Sequence, residues 1–132
     1  MERQTQTIII VDDEPHIVRV AELKLARAGW HVVACHDGQG AWESLQRHSP
    51  AMVITDYQMP QMDGLELARK MARDPRFASV PVILLTARGF ALCEADLETT
   101  NIVKILSKPF SPRGLVALVR QELEKAVAEA VT

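Results

Sequence analysis

Short apolar runs rich in β-branched residues alternate along this chain with stretches whose apolar residues recur at helical spacing. That alternation limits the possible folds more than any other feature. Ile8–Val11 is bounded by polar residues, as suits a short strand buried on both faces. From Pro15 to Ala28, Ile17, Ala21 and Leu25 recur at i, i+4 and i+8. Pro15 fits the first turn of that helix, and Gly29 is a stop signal. The two patterns then repeat. His31–Cys35 reads as a strand, Asp37-Gly38 as a turn, and Gly40–Arg47 as a short helix with Ala41 and Leu45 inward. Met52–Thr55, Val80–Thr86 and Val103–Ser107 read as further strands. Leu65–Arg73 is a helix closed by Asp74-Pro75, and Ala91–Thr100 another, with Asn101 able to take a left-handed cap. A last helix, Leu115–Ala128, places Leu115, Val119, Leu123 and Val127 on one stripe.

Five strands alternating with five helices imply an α/β fold, a doubly wound parallel sheet covered on both faces with right-handed crossovers. The 132 residues suit a single domain, with no second domain expected, since no linker, repeat or low-complexity stretch interrupts the pattern. With 15 basic residues against 17 acidic ones, there is no general basic field for direct nucleic-acid binding. The polar start, Met1–Thr7, is unlike a signal peptide, and the apolar runs are too short to cross a membrane. Cys35 and Cys93 lie far apart and outside any CxxC spacing, which suggests free thiols, buried or partly buried, in a reduced cytoplasmic protein.

In an open parallel sheet, ligands bind beyond the carboxyl ends of the strands. Asp12, Asp13 and Glu14 follow the first apolar run; the third ends at Asp56, the fourth at Thr86 and the fifth at Lys108. Each residue taken singly has an ordinary role as a cap, a turn residue or a solvated lysine. Together they bring acid, hydroxyl and ammonium to one edge. Asp12, Asp13 and Asp56 would resist joint ionisation unless a cation joined them, and oxygen ligands with room for water suit Mg²⁺. Asp56 could then act as a nucleophile, Lys108 could supply a point charge to a phosphoryl oxygen, and Thr86 could donate its hydroxyl.

These residues resemble the response regulator receiver family of two-component signalling. IIIVDDE (Ile8–Glu14) looks like its first strand and acidic pair, and TDYQMPQMDGLEL (Thr55–Leu67) its phosphorylation loop. VPVILLTAR (Val80–Arg88) and SKPF (Ser107–Phe110) complete the set. The resemblance implies a flavodoxin-like (βα)5 three-layer sandwich of strand order 2-1-3-4-5. It implies Asp56 as phosphoacceptor, with Asp13 and Asp56 ligating Mg²⁺ directly, Asp12 mainly through water, and the backbone carbonyl of Gln58 as a further ligand. Thr86 and Lys108 would contact the phosphoryl group, and the Lys108–Pro109 bond is usually cis in similar proteins. Gly64 would fit the turn entering the third helix, where a side chain would obstruct the backbone. The donor would be a sensor histidine kinase or a histidine phosphotransfer protein, and the change would reach a protein partner through the face of helix four, strand five and helix five.

The sequence departs from the family at several places. The switching aromatic of strand five falls at Ile105, and Asn101-Ile102 replaces the small pair usual before that strand. Gln58 and Arg88 occupy positions that commonly tune phosphoryl lifetime, and helix four is acidic at Glu94, Asp96 and Glu98. Two other functions are weighed beside the switch. One is a constitutive scaffold that keeps the fold without phosphorylation, which Ile105 favours and the intact acidic set opposes. The other is a phosphohydrolase with an aspartyl-phosphate intermediate, which would want a DxD spacing that Asp12-Asp13-Glu14 lacks. His16 reads as solvated, and Trp30 and Trp42 as packing residues.

Overall fold

The computed structural model describes residues 6–87 and 92–131. The elements, in chain order, are β1 Thr7–Val11, α1 Pro15–Arg27, β2 His31–Cys35, α2 Gly38–Arg47, β3 Met52–Asp56, α3 Gly64–Ala72, β4 Val82–Thr86, α4 Glu94–Glu98, β5 Ile102–Ser107 and α5 Pro112–Val131. The strands form one sheet of order β2-β1-β3-β4-β5, with every neighbouring pair parallel. The fold is thus the doubly wound parallel α/β sheet expected from the alternation, with the flavodoxin-like strand order that the resemblance implied.

Successive strand residues face opposite sides, so each central strand feeds two cores. Ile9, Val11, Val53 and Leu84 pack with Ala41 and Leu45 of α2 and Leu65, Ala68 and Met71 of α3. Ile8, Ile10, Ile54, Ile83 and Leu85 pack with Val18, Ala21 and Leu25 of α1 and Leu115, Val119 and Leu123 of α5. This is why the central runs are almost wholly apolar: a polar residue on either face is buried and needs a partner, which Thr55 finds by donating its hydroxyl to Asp56 O at 3.0 Å.

Several boundaries differ from the sequence expectation, each for a local reason. Strand β4 starts at Val82 rather than Val80, because the Val80 N–H is used in a turn to Phe77 O and Pro81 has no N–H to give. Asp37-Gly38 opens α2 instead of forming a separate turn: the Asp37 carboxylate accepts from Gly40 N at 2.6 Å and caps the helix. Helix α4 is only Glu94–Glu98, and the expected start at Ala91 lies outside the described residues. It ends at Thr99, where the Thr99 and Thr100 hydroxyls donate to the carbonyls of Ala95 and Asp96 and compete with further helix. Asn101 takes no left-handed cap, since Gln61 (φ 69°) is the non-glycine residue with positive φ among the described residues.

Two apolar stripes also shift. In α1, Val18 joins Ala21 and Leu25 in the core while Ile17 is half-buried. In α5, Leu115, Val119 and Leu123 are buried but Val127 is 56% exposed. A four-residue step overshoots a full turn by about 40°, so three such steps carry Val127 off the packed face. Cys35 is buried as a free thiol, whereas Cys93 is exposed rather than partly buried. Trp42 packs edge-on against Phe77 at 5.5 Å, and Trp30 borders the α1–α5 core, as packing residues should.

Candidate functional site

The topology brings the ends of β1, β3, β4 and β5 side by side. Asp12 follows β1, and its backbone N–H donates to Cys35 O at 3.2 Å, continuing the β1–β2 ladder. Asp56 is the last residue of β3 and is paired with Leu85 of β4. Thr86 ends β4, and its carbonyl accepts from Lys108 N at 2.8 Å, fixing the residue after β5 to the neighbouring strand. The Lys108–Pro109 bond is cis, as the resemblance implied.

The side chains meet at one ammonium. Lys108 Nζ lies 2.8 Å from Asp12 Oδ2, 3.1 Å from Glu14 Oε1 and 3.2 Å from Asp56 Oδ1. Asp12, Asp13 and Asp56 each offer a carboxylate oxygen, and these oxygens all lie within 4.8 Å of one another. Asp12 and Asp56 are buried, while Asp13 is exposed. The Thr86 hydroxyl is buried and has no hydrogen-bond partner among the described residues.

The electrostatics follow from this crowding. Burial, and then the charge of Asp12, push the Asp56 carboxyl up to about 6 against the pull of Lys108. Burial likewise raises Asp12, although Lys108 and the Glu14 backbone N–H oppose it. Burial alone would lower Lys108, but its contacts with Asp12 and Glu14 and the charge of Asp56 outweigh that and raise it, so the ammonium stays charged. One ammonium cannot balance the Asp12, Asp13 and Asp56 carboxylates. Clustered oxygen donors with excess negative charge are the surroundings a hard divalent cation such as Mg²⁺ fits.

The loop after Asp56 is held from the other side. Gly64 N donates to Tyr57 O at 2.8 Å, and a Cβ on Gly64 would stand 2.2 Å from Asp56 O. Only glycine permits that approach. Asp63 caps α3 by accepting from Glu66 N at 2.8 Å, with the Glu66 carboxylate reaching back to Asp63 N.

The structure therefore gathers Asp12, Asp13, Asp56 and Lys108, with Thr86 at the adjoining strand end. Gln58 is exposed two residues beyond Asp56, and Arg88 lies outside the described residues. Ile105 is 38% exposed on β5, in company with Val103 and with Leu97 of α4 among the exposed apolar residues. His16 is exposed, 3.8 Å from Glu14 Oε2. The one contributor without an assigned role from sequence was Glu14, which reaches Lys108 across 94 positions. Its place directly after the acidic pair, at the entrance to α1, was the available signal.

A doubly wound parallel sheet with an acidic, lysine-bridged site at the carboxyl ends of its strands defines the class of protein. Within that class, the chain belongs to the response regulator receiver domain family, whose model matches residues 8–120. It is 39% identical over 123 residues to the response regulator Rre1 of Synechocystis sp., a match covering 92% of this chain and 53% of that protein. The chain spans about half the length of the curated relatives it matches. Among solved structures it resembles a putative response regulator from Chloroflexus aurantiacus J-10-fl at 29% identity and a TM-score of 0.83, covering 92% of this chain and 99% of that one. A CheY-like receiver domain protein from Methanospirillum hungatei shares the fold at 22% identity and a TM-score of 0.85, covering 96% of this chain and 99% of that one. No helix among the described residues is long and apolar enough to cross a membrane.

Proposed function

We propose that this receiver domain takes a phosphoryl group on Asp56 and passes the resulting change to a protein partner. The observation that carries the reading is the buried Asp56 carboxylate, 3.2 Å from Lys108 Nζ and clustered with Asp12 and Asp13. Attack by an Asp56 oxygen on phosphorus forms a P–O bond and breaks the bond to the donor. The donor leaves with that electron pair, as the imidazole of a histidine kinase or phosphotransfer protein, or as acetate from acetyl phosphate. A carboxyl raised to about 6 is still mostly ionised at neutral pH, so the nucleophile is available without a general base. Lys108 supplies positive charge to a phosphoryl oxygen, and the unpartnered Thr86 hydroxyl donates to another. Asp12, Asp13, Asp56 and the Gln58 carbonyl would hold Mg²⁺, which when bound neutralises charge between the carboxylates and the phosphoryl oxygens.

The phosphoryl group adds roughly 1.5 to 2 negative charges. Drawing Thr86 toward those oxygens biases a two-state equilibrium at the end of β4, and the α4–β5–α5 face carries the result to a partner. With Ile105 on β5, that shift proceeds without an inward-turning aromatic ring. Gln58 and Arg88 set how long the phosphoryl group persists.

The test is intact mass after incubation with Mg²⁺ and acetyl phosphate, beside Asp56→Asn. A phosphoryl-sized gain that needs Mg²⁺ and is missing in the variant is expected. A folded protein that gains no mass and does not respond to beryllofluoride would refute the reading.

A further inference from the structure

Lys108 has three N–H donors, and three carboxylates face it. They differ in what their release would cost. The side chains of Asp12 and Asp56 are 0% and 8% exposed, whereas that of Glu14 is 47% exposed. Glu14 also lies outside the group of aspartates whose oxygens converge. Its backbone is nevertheless anchored. Glu14 N donates to Asp12 Oδ1 at 3.0 Å, its carbonyl accepts from Ile17 N and Val18 N as the N-cap of α1, and Pro15 follows. The carboxylate therefore reaches Lys108 from a fixed point on the rim of the site.

We infer that Glu14 is a positioning residue that occupies one donor of Lys108 and competes with an incoming phosphoryl group for it. The inference rests on the reading of Asp56 as phosphoacceptor. A phosphoryl group on Asp56 inherits the donor already aimed at that carboxylate. A second contact from the ammonium requires another carboxylate to let go. Releasing Asp12 would strand a buried charge, while Glu14 is already half hydrated and returns to water easily. Glu14 is therefore the contact that yields. Without it, Asp12 and Asp56 still hold Lys108 in place, so competition is lost while preorganisation remains.

The test is a beryllofluoride titration at saturating Mg²⁺, followed by backbone amide NMR, on the wild type, Glu14→Gln and Glu14→Asp. Aspartate keeps the charge but is one methylene shorter, so it separates reach from field. Both variants are expected to bind about two- to five-fold more tightly than wild type, the size of a rim ion pair. Tighter binding by Glu14→Gln alone, with Glu14→Asp at the wild-type value, would overturn the contact in favour of simple charge repulsion. Unchanged or weaker binding in both would overturn the competition outright. Absence of any response in the wild type would instead strike the phosphoacceptor reading itself. In metal-free protein, exchange of the Lys108 ammonium protons with water should quicken in both variants, which a purely structural role for Glu14 would not produce.

Discussion

Replacing Asp56 by Asn should stabilise the metal-free protein, although it removes the proposed nucleophile. Asp56 is 5% exposed, so its carboxylate is little screened by water. Burial and the Asp12 charge raise its pKa from 3.8 to about 6, even with Lys108 pulling the other way. A group whose folded pKa lies above its unfolded value binds its proton more tightly in the native state. For this acid, stability falls as pH rises from about 4 to about 6 and stays reduced above that window. At about 1.4 kcal/mol for each tenfold change in proton affinity, the ionised carboxylate costs the metal-free fold about 3 kcal/mol at neutral pH. Asparagine keeps the shape without the charge. For a domain of this size the gain corresponds to a rise in Tm of about 10 °C. Calorimetry on both proteins in EDTA at pH 7.5 and pH 4 measures it directly. The gap should be present at pH 7.5, shrink sharply at pH 4, and narrow again when Mg²⁺ stabilises the wild type. A variant no more stable than wild type at pH 7.5, or an equal gap at both pH values, would refute the account of strain among these carboxylates.

Other positions carry sharper or milder expectations. Gly64→Ala places a Cβ 2.2 Å from Asp56 O, so urea denaturation should show a loss of at least about 2 kcal/mol, with phosphoryl uptake from acetyl phosphate impaired as well. Leu115→Ala should cost about 2–5 kcal/mol, whereas Val127→Ala, 56% exposed on the same helix, should stay within about 0.5 kcal/mol of wild type. Equal losses at the two sites would contradict the packed face assigned to α5.

Much of this architecture was legible in the sequence for one reason: a strand buried on both faces is almost wholly apolar, so the polar residues that end each run mark the sheet edge. That rule places Asp12 and Thr86, and Asp56 one residue past the buried Thr55, whereas β5 is largely exposed and carries Lys104, so Lys108 is marked by the SKPF motif instead. It is less informative where local hydrogen bonding competes with periodicity. Nothing in an apolar pattern tells Val80 that its N–H will close a turn, or tells Asp37 that its carboxylate will start a helix. A strict four-residue stripe also misplaces Val127, because helix geometry drifts and the packed face shifts to include Glu122. The Glu14–Lys108 contact was hidden because it depends on how the first turn of α1 sits against the end of β5. Strand order sets that juxtaposition, and composition does not.

The close approach of Gly64 to the Asp56 carbonyl has a mechanical consequence. Helix α3 buries Gly64, Leu65, Leu67, Ala68 and Met71, so the backbone of the acceptor is bolted to a well-seated lever. Beside it, and tied to it by the Arg69–Asp96 ion pair, α4 has five residues and buries none of them. On the proposed reading of Asp56 as phosphoacceptor, bond-making there would meet a stiff support at α3 and a compliant one at α4, and displacement is expected to run toward α4. The exposed thiol of Cys93, at the entrance of α4, is a native attachment point for a dye on the compliant side. Its emission should change with beryllofluoride, while a dye placed on exposed Lys70 of α3 stays silent. Equal responses at both positions would mean that the site has no preferred direction of recoil.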